Sequence, residues 1–124
     1  MDKKTRIYIL IAIVAVIALS AYFIQKGMNK QGNYDSFAKC LTEKGARMYG
    51  TEWCSHCQAQ KALFGKSFQY VFFTDCDLDS AACKQVNITG YPTWIINGTQ
   101  YPGEQTLQNM GFLTDCEPLL LQGT

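Results

Sequence analysis

The sequence predicts an α/β domain, a central mixed sheet with helices packed on its faces, preceded by a single N-terminal apolar helix. Three observations predict it. An uncharged apolar run extends from Ile7 to Ile24; downstream, short aromatic or β-branched segments alternate with amphipathic ones; and Asn97-Gly98 separates two strand-like stretches. The 124 residues leave room for one compact domain and an appendage, and exclude a second full domain.

The run IYILIAIVAVIALSAYFI is of the length needed to cross a hydrocarbon core, and Lys3, Lys4 and Arg6 precede it. Apolar character on every face argues against a buried core helix in so small a protein. The expected organisation is a basic cytoplasmic N-terminus at 1–6, a transmembrane signal-anchor at 7–24, a linker at 25–32 and a folded domain at 33–124. Ala18 and Ser20 allow the alternative of a cleaved signal peptide, cut before Ala21 and leaving a secreted domain. The hydrophobicity continues through Tyr22, Phe23 and Ile24, which favours the anchor. Basic residues before the span place the C-terminal domain outside the cytoplasm, although Lys26 and Lys30 dilute the asymmetry. QKGMNKQG, from Gln25 to Gly32, is polar and contains glycine, as a short flexible tether does.

Asp35 or Ser36 can cap a first helix through Lys44, with Phe37, Cys40 and Leu41 on one face and Gly45 at its end. Ala46 to Tyr49 reads as a short strand, and Trp53 to Phe64 as a helix ending at Gly65. Phe68 to Thr74 (FQYVFFT) is aromatic and β-branched, the composition of a buried strand, with Phe68, Tyr70, Phe72 and Phe73 as sheet core. Asp79 or Ser80 caps a short helix to about Val86. Thr93 to Ile96 and Thr99 to Tyr101, joined by Asn97-Gly98, form a hairpin, because Asn-Gly suits the positive φ angles of a tight turn. A helix from about Gln105 to Phe112 closes the domain.

Eleven basic and ten acidic residues leave a formal charge of +1, so nucleic acid and strongly anionic partners are not indicated. Six cysteines are many for a reducing cytosol, and their number points to an oxidising compartment or to zinc.

Cys54-Ser55-His56-Cys57 opens a helix, follows a short strand and is preceded by Trp53. A thiol redox centre needs one exposed sulfur with thiolate character and a second sulfur near enough to attack a mixed disulfide. Cys54, at the helix N-terminus, is the candidate nucleophile, because unpaired N–H groups and the helix dipole favour its anion. Cys57, one turn on, is the resolving thiol. His56, when protonated, adds positive charge beside Cys54, which stabilises the dithiol form and makes the disulfide more oxidising. About forty residues downstream, GYPTW places Pro92 at the start of a strand, where a cis X-Pro bond is accommodated.

The segment from Phe37 to about Cys116, with MYGTEWCSHCQAQKALFG, ITGYPTWIINGTQYPGEQTL and the Cys76/Cys83 pair, resembles the thioredoxin-like domain fused to, or partnered with, bacterial vitamin K epoxide reductase homologues. The resemblance implies a thioredoxin-like fold, Cys54 and Cys57 as the redox pair, and a cis-proline loop of Tyr91 and Pro92 facing them, with the Tyr91 backbone holding a substrate strand. The histidine at position 56 is also similar to that of DsbA-type and protein disulfide isomerase motifs, which lean towards oxidation and isomerisation. Many thioredoxin-fold enzymes carry a buried acid six residues before the first cysteine, where this chain has Met48. Proton transfer at Cys57 then needs Glu52, water or another group, and Glu52 itself reads first as a solvated loop charge. The four-helix reductase of those relatives is not in this sequence, so a reductase working with it would be a separate polypeptide.

A bridge between Cys76 and Cys83 is geometrically reasonable and structural, with a second shuttle pair as the alternative. Cys40 and Cys116 can tie the ends of the domain together, by elimination among 15 pairings of six cysteines. A zinc site of Cys54, Cys57, Cys76 and Cys83 is the competing use, weakened by the wide spacing of the second pair. Asp75, Asp77 and Asp79 begin like a calcium loop, but Ser80 stands where glycine is needed and Val86 where the bidentate glutamate belongs. The sequons Asn87-Ile-Thr and Asn97-Gly-Thr read as turn chemistry before glycosylation.

The expected function is therefore a membrane-anchored thiol–disulfide oxidoreductase without a bound cofactor or metal, acting on protein thiols and disulfides or with a quinone-linked membrane reductase. A non-catalytic, disulfide-stapled binding module on a membrane anchor is the alternative, with a structural zinc module behind it.

Overall fold

The computed structural model describes residues 1–28 and 33–122, which fall into two compact units, one within Met1–Gln31 and the other within Gly32–Thr124. The first is a single helix, α1 (Lys3–Met28). At about 1.5 Å per residue it exceeds the roughly 30 Å of a bilayer's hydrocarbon core. None of its apolar stretch is buried, and by length and composition it can cross a membrane, a test that a signal sequence also passes. Of the expected tether at 25–32, residues 25–28 belong to this helix. The helix runs on through Met28 because Gln25, Lys26 and Met28 are good helix formers, and residues 29–32 lie outside the described residues.

The second unit runs α2 (Asp35–Glu43), β1 (Arg47–Gly50), α3 (Ser55–Phe64), a 3₁₀ helix (Gly65–Tyr70), β2 (Phe72–Asp75), α4 (Ser80–Gln85), β3 (Thr93–Ile96), β4 (Thr99–Pro102), α5 (Leu107–Thr114) and α6 (Glu117–Leu120). The four strands form one mixed sheet in the order β2-β1-β3-β4, with β1 and β2 parallel and the other pairs antiparallel. In β1 the pleat sends alternate side chains to opposite faces. Met48, paired with Trp94, enters the main core with Phe37, Leu41, Phe64, Ile96 and Met110, all no more than 1% exposed. Tyr49 points the other way, into a smaller cluster with Cys76 and Cys83 against Ile95.

Local chemistry explains most boundaries. After α2 the chain reverses in a Schellman motif: Gly45 at φ +81° donates to the Thr42 carbonyl and Ala46 donates to the Leu41 carbonyl, so Ala46 is spent on the cap and the strand starts at Arg47. Asn97 and Gly98, at φ 51° and 78°, make the tight turn of the hairpin. Asp79 caps α4 by accepting from the Ala82 N–H at 3.0 Å.

Several expectations need correction. Neither Asp35 nor Ser36 caps α2. Tyr34 occupies the cap position, its N–H donating to Ser67 Oγ at 3.0 Å, while the Asp35 carboxylate accepts from the Ser67 hydroxyl at 2.7 Å. Phe68 to Tyr70 belong to the 3₁₀ helix instead of a strand, because Phe68 turns back edge-on to Phe64 and Phe73, with ring centroids 6.0 and 5.8 Å away. Phe72, on the edge strand β2, is 43% exposed, with the Arg47 guanidinium 4.5 Å above its ring. α5 starts at Leu107 under a Thr106 cap and is followed by α6, which no expectation included.

Two disulfides hold this unit. Cys40 in α2 is bonded to Cys116 before α6, and Cys76 to Cys83 across the loop between β2 and α4.

Candidate functional site

β1 delivers the chain to the centre of the sheet edge, and α3 starts five residues later at Ser55, directly after Cys54. Trp53 therefore precedes the helix instead of opening it. Cys54 is the N-cap, with extended backbone at φ −71° and ψ 120°, and its Sγ accepts from the Cys57 N–H at 3.4 Å. A sulfur in that position faces the unpaired N–H groups of the helix's first turn. Cys54 is half-buried and its thiol points at the Tyr91 carbonyl, 3.7 Å away.

Cys57 is a free thiol like Cys54 but wholly buried. Burial first, and then the hydrogen bond and charge of Cys54, push the Cys57 thiol up from an ordinary 9.0 to about 11, against the opposing influence of the Thr51 backbone and the Lys61 ammonium. The space for its sulfur is made by Gly50: a Cβ there would stand 2.6 Å from Cys57 Sγ. An isolated glycine in a strand is the sequence signature of such an approach.

The remaining predicted residues surround this pair. Trp53 is 70% exposed, its indole N–H donating to Asp77 Oδ2 at 2.6 Å and its ring edge-on to Tyr91 at 6.5 Å. The Tyr91-Pro92 bond is cis and Pro92 is buried. His56 Nδ1 lies 2.7 Å from Glu104 Oε1, with both side chains open to solvent. Glu52 pairs with Lys61 at 2.6 Å, and the Lys61 ammonium sits 3.9 Å from the centre of the Phe73 ring.

The structure does not bring the other two bridges into the motif. Cys76 and Cys83 are bonded to each other, so a four-sulfur zinc site with Cys54 and Cys57 lacks two of its thiolates. The three aspartates of the calcium-like stretch have protein partners: Asp75 accepts from the Asp77 N–H, Asp77 from Trp53 and Asp79 from Ala82. Asn87 and Asn97 both stand at positive φ, as turn residues do.

Glu104 and Gln60 had no local signal beyond their side-chain type, and Asp77 had only the calcium-like alternation, which does not point to Trp53. Gln60 is a buried amide in α3 that accepts from Trp94 Nε1 at 3.2 Å and from the Gln105 N–H at 2.6 Å, and donates to the Gln105 carbonyl at 3.0 Å.

No protein-family model matches the chain. It is similar to a curated protein of Arabidopsis thaliana named thiol-disulfide oxidoreductase LTO1, 38% identical over 88 residues. The match covers 64% of this chain and spans 23% of that protein's length.

Proposed function

We propose that the chain is a thiol–disulfide oxidoreductase of thioredoxin-like fold, working through Cys54 and Cys57. One observation carries the reading: a half-buried sulfur caps a helix under the Tyr91 carbonyl, with a second, fully buried thiol one turn behind it. The β2-β1-β3-β4 mixed sheet and the similarity to a protein of that activity support it.

Burial supports a division of roles. A substrate sulfur can approach Cys54 but not Cys57, so the mixed disulfide forms at Cys54. In the reducing direction the Cys54 thiolate attacks one sulfur of a substrate disulfide, a Cys54–substrate S–S bond forms, and the other substrate sulfur leaves as a thiolate and takes up a proton. Cys57 then loses its proton and attacks Cys54 Sγ, which forms the Cys54–Cys57 bond and releases the second substrate thiolate. Two electrons pass from the pair to the substrate, and the oxidising reaction is the reverse.

Two of the causes that hold the Cys57 proton, the hydrogen bond and the charge of Cys54, disappear once Cys54 is in the mixed disulfide. What remains besides burial favours the thiolate: the Thr51 backbone and Lys61. Forming the mixed disulfide thus eases loss of the Cys57 proton, with burial still holding it. With Met48 in the core where a buried acid would stand, Lys61 is the charged side chain that favours the Cys57 thiolate.

Tyr91, beside the cis bond and against Trp53, offers main-chain groups to an extended substrate segment. Positive charge on His56, where Glu104 does not offset it, favours the dithiol and with it oxidation of protein thiols or isomerisation of protein disulfides. α1 tethers the domain to a membrane, with the domain on the extracytoplasmic side and a separate quinone-linked reductase of the vitamin K epoxide reductase type as redox partner. The test is trapping: full-length Cys57→Ala should accumulate mixed disulfides at Cys54, and a lack of them under both oxidising and reducing conditions would overturn the reading.

A further inference from the structure

Glu104 is held on both sides. Before it, the Gly103 N–H donates to the Pro92 carbonyl at 2.7 Å; after it, both backbone groups of Gln105 are bonded to the Gln60 side chain, at 2.6 and 3.0 Å. Between these anchors the Glu104 carboxylate meets His56 at 2.7 Å. Gln60 is fully buried among apolar residues, where an amide costs stability unless every polar atom is bonded. A methionine or leucine would fill the same space without that demand. What the amide adds is a partner for the buried Trp94 indole N–H and capture of the 103–105 segment.

We propose that Gln60 is a positioning residue that fixes Glu104 against His56 and thereby lowers the oxidising strength of the Cys54/Cys57 pair; the inference rests on the function proposed above. The sign follows from charge. With Glu104 in place the His56–Glu104 pair is at most neutral, whatever the imidazole's protonation; without it, His56 is at least neutral. Taking the carboxylate away therefore leaves the surroundings of Cys54 more positive, which favours its thiolate and the dithiol form. Releasing the segment by removing the Gln60 amide acts in the same direction, through Glu104.

The test uses full-length protein in detergent micelles, equilibrated with glutathione buffers and read by trapping the Cys54 and Cys57 thiols. Glu104→Gln should shift the equilibrium towards the dithiol by about threefold, or about 14 mV at roughly 30 mV per tenfold change. Gln60→Met should shift it the same way, and the double variant should match Glu104→Gln alone. Gln60→Leu replaces Gln60→Met if the latter does not fold. A wild-type equilibrium in the Gln60 variant overturns the proposal, as does no shift in Glu104→Gln or a double variant whose shifts multiply. A wild-type protein that does not exchange with glutathione at all overturns the proposed function instead, before any variant is compared.

Discussion

The α-carbon of Gly50 and the sulfur of Cys57 are so close that any side chain at position 50 would intrude on this buried thiol, a Cβ standing 2.6 Å from Sγ. Phe73 Cε2 lies 3.5 Å from the same point, an ordinary contact distance, so the clash is with the sulfur itself. Gly50→Ala should therefore cost about 1–3 kcal/mol in chemical denaturation, the usual range for overpacking. It should also slow release of substrate from the mixed disulfide more than its formation, which stopped-flow kinetics would separate.

Cys54 and Cys57 should differ sharply towards iodoacetamide. At pH 7 a thiol with a pKa of about 11 has roughly one part in ten thousand as thiolate, and Cys57 is also buried. Mass spectrometry of the folded, reduced protein should find Cys54 labelled and Cys57 unlabelled until denaturant is added. Equal labelling of the two would contradict the assigned order of attack.

The raised Cys57 value also predicts a pH dependence of stability. The folded state holds the proton more tightly than the unfolded chain, so the contribution is complete below pH 9 and is lost as pH rises towards 11. The reduced protein should lose on the order of 2 kcal/mol across that window relative to its Cys54–Cys57 oxidised form, which has no such thiol to titrate. Parallel urea titrations of the two forms at pH 8 and pH 10.5 would show it.

The two disulfides should contribute unequally. Cys40–Cys116 closes 76 residues and Cys76–Cys83 only 7, so restriction of the unfolded chain gives about 4 kcal/mol for the first and about 2 for the second. Paired alanine replacements of each bridge, compared by chemical denaturation, check the ranking.

What could be read from the chain was whatever is encoded within a few residues. The Asn97-Gly98 turn, the Gly45 and Gly65 helix ends, the Asp79 cap and the placement of Cys54 at a helix start all depend on local backbone preferences. The errors have a common physical source in partners distant along the sequence. Asp35 was free to cap its helix until Ser67 claimed its carboxylate, 32 residues on. Phe68 had strand composition, but its contacts with Phe64 and Phe73 favoured a tight turn. Gln60 with Gln105, His56 with Glu104 and Trp53 with Asp77 are likewise meetings of remote segments, which no spacing rule anticipates.

The bond between Cys40 and Cys116 gives the domain a mechanical short circuit. Tension applied between its two ends passes from α2 through sulfur to the residues before α6, and leaves the strand pairings and the Cys54 helix, all within 41–115, outside the loaded path. Under such a pull the domain would stretch at its margins while the helix that begins after Cys54 kept its shape.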